Sequence, residues 1–311
     1  MPLSPFRALI MPPGGSFRHL RAADGVDIRT AHWPAPEGKA LGSVLLLQGR
    51  REFIEKYFEV IADLQDRGFD VYTLDWRGQG LSSRPLANRQ KGHVVNFELY
   101  LKDLNLFMKK IVLPQAPGPL FMLGHSMGGH LGLRYLHDHP GTFEKAILSA
   151  PMVDIELGMF GHISRMIVKS MMPLRRAEEY ALFQGDFSEK TRAREVDLLS
   201  SDPERLEIEI YHIRENPGLA LGGVTYGWLD AAFKSITRLK APGYVEAIET
   251  PVLMMTAGAD KVVSVAAQTA LAARMPQCQQ KIIPGARHEI LMERDDLRNQ
   301  FWKAFGGFVG D

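Results

Sequence analysis

Short apolar runs recur along this chain, with helix-like stretches between them. The runs are SVLLLQ (43–48), FDVYTLDW (69–76), PLFMLGHS (119–126), KAILSAP (145–151), PVLMMTAG (251–258) and QKIIP (280–284). Such runs, flanked by turn-forming residues, read as strands, and Val44 to Leu47 as one buried on both faces. In the stretches between, apolar residues return every three or four positions. Phe53, Ile54, Tyr57, Phe58, Ile61 and Leu64 trace one helical stripe, which Gly68 ends. Val94, Phe97, Leu101, Leu104 and Met108 trace a second, over about 94–110. Further helices are predicted at 128–139, about 264–275 and about 293–308. The stretch SFRHLRAADGVDIRTAHW reads as a hairpin turning at Asp24-Gly25. Strands alternating with helices predict an α/β fold with a mostly parallel central sheet and helices on both faces.

Residues 152–245 break the alternation. They hold helical patterns and no clear strand, with breaks at Pro173, Gly185, Pro203 and Pro217-Gly218. The expected organisation is a core domain from 1–151 and 246–311, with 152–245 inserted as a helical cap. No internal repeat or low-complexity tract is present.

Composition narrows the class. The chain has 311 residues, is 45% hydrophobic and 23% charged, and carries a net charge of +1. Those values fit a soluble globular protein and give no field that calls for nucleic acid. Cys278 is the one cysteine, so no internal disulfide can form, which fits a reducing, cytoplasmic compartment. The opening MPLSPFRALIMPPGG lacks the sustained apolar core of a secretory signal. No apolar run reaches the ~18 residues that span a bilayer.

One motif carries chemistry. Gly124-His125-Ser126-Met127-Gly128 is a G-x-S-x-G lying between a predicted strand and a predicted helix. A sharp strand-to-helix turn exposes the serine hydroxyl, and side chains at the flanking glycines would collide. The helix N-terminus offers an N–H and a positive dipole end to a developing oxyanion. Read alone, the motif is equally well a glycine-rich turn.

Partners change that balance. A serine needs a base, and the base needs an orienting carboxylate. Asp260 follows the PVLMMTAG strand, and His288 follows the last one, giving the order Ser, Asp, His. Asp154, after KAILSAP, is a competing acid. His125 flanks the serine and cannot easily turn back to it. His130, His137 and His139 sit on the following helix or its end and read as structural or solvated. No His, Cys, Asp or Glu set has metal-ligand spacing. The DWRGQGLS stretch lacks the third glycine of a dinucleotide fingerprint and reads as a turn.

At this point the sequence resembles the α/β-hydrolase superfamily, and within it the bacterial lysophospholipases grouped with monoacylglycerol lipases. The resemblance rests on GRREFIEKYFEVIADLQDRGFDVYTLDWRGQGLSSRPL, KGHVVNFELYLKDL, LGHSMGG, TAGADKVVS and PGARHEILMERD. It implies an α/β-hydrolase fold with Ser126 as nucleophile, Asp260 as acid and His288 as base. It implies oxyanion donors at the N–H of Met127 and in the loop after the opening strand. Counting from Gly49 assigns that second donor to Arg50, with the register open by one residue. Monoacylglycerol lipases carry His-Gly where this chain has Gln48-Gly49, which tilts the resemblance toward the lysophospholipases.

The expected reaction is ester hydrolysis of single-chain lipids through an acyl-enzyme, with no cofactor and no metal. The alternatives are a monoacylglycerol lipase, a general carboxylesterase, thioesterase or peptidase, or a silent hydrolase fold used for binding. In the cap, Met159, Ile163 and Met166 recur at helical spacing with Ile167 and Met171. That stripe either packs on the core or walls an acyl-chain pocket. Arg165, Lys169, Arg175 and Arg176 leave peripheral contact with anionic headgroups or a membrane surface open; a solvated face is the plainer account.

Overall fold

The computed structural model describes residues 8–38, 40–158 and 161–310. Eight strands form one sheet: β1 (Ser16–Arg21), β2 (Asp27–Trp33), β3 (Gly42–Leu47), β4 (Phe69–Leu74), β5 (Leu120–His125), β6 (Lys145–Ser149), β7 (Val252–Ala257) and β8 (Cys278–Ile283). Their order is β1-β2-β4-β3-β5-β6-β7-β8. The hairpin β1–β2 joins β4 antiparallel, and every later pairing is parallel. The parallel strands match the runs read from the sequence.

Burial on both faces explains the apolar character of the inner strands, whereas β8 at the sheet edge has only Ile283 buried. All six residues of β3 are buried. Leu45 and Leu47 join a core with α2 (Glu98–Phe107), α4 (Met127–Asp138), α8 (Tyr226–Leu239) and α9 (Val265–Ala272). Val44 and Leu46 face the other way, toward α1 (Phe58–Asp66) and α10 (Asp295–Val309). The period-two alternation thus feeds two cores, one on each side of the sheet.

The second helical stripe begins later than its apolar pattern. The Asn96 side chain accepts from the N–H of Glu98 at 2.6 Å, and α2 starts there. Val94 and Phe97 stay buried in the chain that precedes it. Past Phe107 the helix widens through Met108–Val112 and ends in the short α3 (Leu113–Gln115).

Between β6 and β7 lie α5 (Gly161–Met171), α6 (Glu189–Leu199), α7 (Pro203–Glu215) and α8. Among the described residues this stretch adds no strand to the sheet. Asp202 caps α7, accepting from the N–H groups of Glu204 and Arg205, and Ser188 caps α6. Helix α8 is rooted on α4: Ser235 Oγ meets His130 Nε2 at 2.7 Å and Arg134 Nη1 at 2.9 Å. Helix α7 leans on the turn after β3, where the His212 ring packs edge-on against Phe53 and Phe58. Among the described residues no helix is long and apolar enough to cross a membrane.

Candidate active site

Loops at the carboxyl ends of four parallel strands meet in one place, as is usual for ligand sites of open α/β sheets. Ser126 follows β5 directly and has φ 50° and ψ −114°, a backbone conformation that non-glycine residues rarely adopt. Its N–H donates to the Ser149 carbonyl at 3.0 Å, and its carbonyl accepts from Met152 at 2.9 Å. The turn is tight enough to dictate its glycines. A Cβ on Gly128 would lie 2.3 Å from the Leu47 carbonyl oxygen, and one on Gly124 would lie 2.9 Å from the Gly129 Cα. Helix α4 therefore starts against the end of β3.

Ser126 Oγ lies 2.9 Å from His288 Nε2, and His288 Nδ1 lies 2.8 Å from Asp260 Oδ2. The other oxygen of Asp260 accepts from the N–H groups of Val262 at 2.8 Å and Val263 at 3.0 Å. Burial opposes the charge on Asp260, but His288 and those N–H groups outweigh it and hold the carboxyl below its usual range. Both side chains are almost wholly buried. An ionised Asp260 orients Nδ1–H toward itself, which leaves Nε2 free to take a proton from the serine. The structure thus brings Ser126, His288 and Asp260 into one hydrogen-bonded chain.

The competitors go elsewhere. Asp154 is held by Arg165 and by Lys240, the latter at 2.7 Å. His125 turns its Nδ1 to the Ser149 carbonyl at 3.1 Å, its ring centroid 4.9 Å from that of His288. His130 bonds Met152 and Ser235 within the core. His137 stacks on Tyr244, and His139 packs on Tyr135.

In the loop after β3, the N–H groups on either side of Arg50 are engaged. The N–H of Gly49 donates to the Glu52 carboxylate, and that of Arg51 donates to the Gln79 side chain. Among the described residues the N–H of Arg50 has no partner, nor does that of Met127 at the first turn of α4. Arg50 and Ser126 line one cleft of about 510 Å³. The DWRGQGLS turn supports this loop: Asp75 accepts from the N–H groups of Ile54 at 3.0 Å and Leu81 at 2.9 Å.

The cleft is walled mainly by apolar side chains, among them Met152, Ile155, Ile167, Val168, Val224 and Trp228. Here the expectation from the α5 stripe needs correction. Ile163 and Met166 do not line the cleft and are 53% and 71% exposed. Ile167 and Val168 line it instead, because α5 presents those residues to α8 and the core. Met159 lies outside the described residues. Sequence reading also missed a buried ionic cluster beneath the cleft. Lys56 Nζ lies 2.8 Å from Glu52, 2.8 Å from Glu289 and 3.2 Å from Glu209, with Arg192 beside Glu209. The Glu52–Lys56 spacing was a visible signal; the partners from distant elements were not. Among the described residues no group of three His, Cys, Asp or Glu side chains could hold a metal ion.

A family model described as serine aminopeptidase, S33, matches residues 38–295. The chain belongs to that family. Lysophospholipase L2 of Escherichia coli (strain K12) is 31% identical to it over 308 residues, covering 94% of this chain and 89% of its own. A probable lysophospholipase L2 of Haemophilus influenzae is 29% identical over 294 residues, covering 94% and 91%. Among solved structures, a soluble variant of monoglyceride lipase from Saccharomyces cerevisiae superposes with a TM-score of 0.76 at 21% identity, covering 96% of each chain. That likeness shows a shared α/β-hydrolase fold for this S33-family protein.

Proposed function

We propose that this protein is a carboxylic ester hydrolase of single-chain lipids, with lysophospholipids as the favoured class. The observation that carries the reading is the Ser126–His288–Asp260 chain opening into an apolar cleft. The S33 family match and the relatives named lysophospholipase L2 support the substrate class. Ser126 Oγ attacks the ester carbonyl while His288 Nε2 takes its proton. The N–H groups of Met127 and Arg50 hold the oxyanion, and loss of one such donor costs ~10²–10³ in turnover. The alcohol leaves with the proton from His288, and water then releases the fatty acid.

Residues 152–245 act as the inserted cap, with α8 as its base and Ile167 and Val168 among the walls of the acyl site. Leu182, Phe183 and Leu198 line the cleft and are exposed, which supports peripheral contact with a lipid surface. A single cysteine supports a reducing compartment.

Monoacylglycerol hydrolysis is the second reading. It is supported by the monoglyceride lipase of Saccharomyces cerevisiae, 33% identical over 136 residues, which are 42% of this chain. A panel of lysophosphatidylcholine, monoolein and p-nitrophenyl esters of rising chain length tests the assignment. Highest kcat/KM on lysophosphatidylcholine is expected. Activity confined to short-chain esters would rule out the lipid reading.

A further inference from the structure

Three arginines line the cleft beside Ser126: Arg50, Arg51 and Arg192. Two of them are neutralised. Arg51 pairs with Glu195, and Arg192 pairs with Glu209, with Glu195 3.5 Å away. Arg50 has no carboxylate within ion-pair distance among the described residues. Its Nη1 donates to the Gly222 carbonyl at 3.3 Å, and its guanidinium lies 5.7 Å from the Trp228 ring centroid. Both contacts are neutral. Burial, reinforced by the like charge of Arg51, brings its pKa down to about 9. Lys261, the remaining cation of the cleft wall, is exposed.

A partly desolvated cation with no carboxylate in direct contact is costly, with Glu195 acting on Arg50 only from beyond ion-pair distance, and an incoming anion offsets that cost. The planar fork of a guanidinium matches phosphate oxygens in particular. Position selects among anions. The main chain of Arg50 offers its N–H to the ester carbonyl, so the side chain extends from the reacting centre itself. In a lysophospholipid only the glycerol unit separates that ester from the phosphodiester. A monoacylglycerol has a neutral hydroxyl at the same place.

We propose that the Arg50 guanidinium binds the headgroup phosphate of a lysophospholipid, making Arg50 the residue that selects this substrate over a neutral monoacylglycerol. The inference rests on the lipid-ester reading above. One residue then engages the substrate twice, with its main chain at the ester and its side chain at the phosphate. Arg51, already paired with Glu195, contributes shape to the wall rather than a free charge.

The test is the ratio of kcat/KM for lysophosphatidylcholine to kcat/KM for monoolein. Using the ratio cancels any change at the main-chain donor common to both substrates. Arg50→Met should lower it about 10- to 100-fold, since a charge-assisted hydrogen bond contributes that order of affinity. Arg50→Lys, which keeps the charge without the fork, should lower it less. An unchanged ratio in Arg50→Met overturns the proposal. Should the variants fold poorly, the wild type answers by inhibition of p-nitrophenyl ester hydrolysis. sn-Glycero-3-phosphocholine should compete, and glycerol and inorganic phosphate should compete much more weakly. Equal inhibition by glycerol, or by inorganic phosphate alone, overturns the headgroup assignment. Failure of the lipid-ester reading looks different: the wild type releases no fatty acid from either lipid, and both claims fall together.

Discussion

The ammonium of Lys56 lies 2.8 Å from the carboxylate of Glu289, the residue that follows His288. The same ammonium holds Glu52, whose carboxylate accepts from the Gly49 N–H, and Glu209 on α7. One buried cation thus gathers the loop of Arg50, the loop of His288 and a helix of the stretch between β6 and β7. The N–H of Glu289 adds a bond to the Leu199 carbonyl at the end of α6, at 2.7 Å. Burial disfavours charge on Glu52, yet Lys56 holds its pKa down at about 2, so it stays ionised.

Removing that cation leaves three buried carboxylates facing one another. Lys56→Met should therefore destabilise the fold by about 3–5 kcal/mol. Urea unfolding at neutral pH measures this. A loss below about 1 kcal/mol would mean that Arg192 alone sustains the cluster.

Asp260→Asn keeps the shape of the side chain and removes its charge. The amide no longer enforces Nδ1–H on His288, so the imidazole can present the wrong tautomer to Ser126. Turnover should fall by about 10²–10⁴ with KM little changed. Steady-state kinetics on p-nitrophenyl esters read the split. A change in KM alone would mean that Asp260 acts on binding and not on the base.

His130 gives the protein a pH dependence unconnected with catalysis. Burial, aided by Arg134, depresses its pKa to about 3 from 6.5. Between those values the unfolded chain binds a proton that the folded chain excludes. Stability is therefore full above about pH 6.5 and falls with acid by about 1.4 kcal/mol per pH unit. His130→Asn should lessen the drop between about pH 7 and about pH 5 by ~2 kcal/mol. Chemical unfolding at the two pH values measures it, and equal drops in both proteins would contradict the burial argument.

The inner sheet was legible because β3, β4 and β5 are buried along their whole length, so SVLLLQ and its neighbours need no polar face; the edge strand β8 has only Ile283 buried. The Ser126 turn was legible because sterics demand its glycines. The side-chain contacts of α5 were not. Helical spacing groups Ile163, Met166 and Ile167 on one stripe, but α8 and the core cover only part of it. The ionic cluster was hidden for a similar reason. Lys56, Glu209 and Glu289 look like surface charges until distant elements converge on them. The sequence left the register of the proposed oxyanion donor open by one residue; Glu52 and Gln79, from outside that register, occupy the N–H groups on either side of Arg50.

The account stands or falls on Ser126 as the nucleophile. The decisive measurement is fatty acid release from lysophosphatidylcholine by Ser126→Ala, beside wild type at equal folded concentration. Its unfolding midpoint should be at least that of the wild type, because the exchange removes a hydroxyl from a strained turn without opening a cavity. Turnover should fall by about 10⁴-fold or more. Wild-type turnover in a folded Ser126→Ala protein would contradict the account.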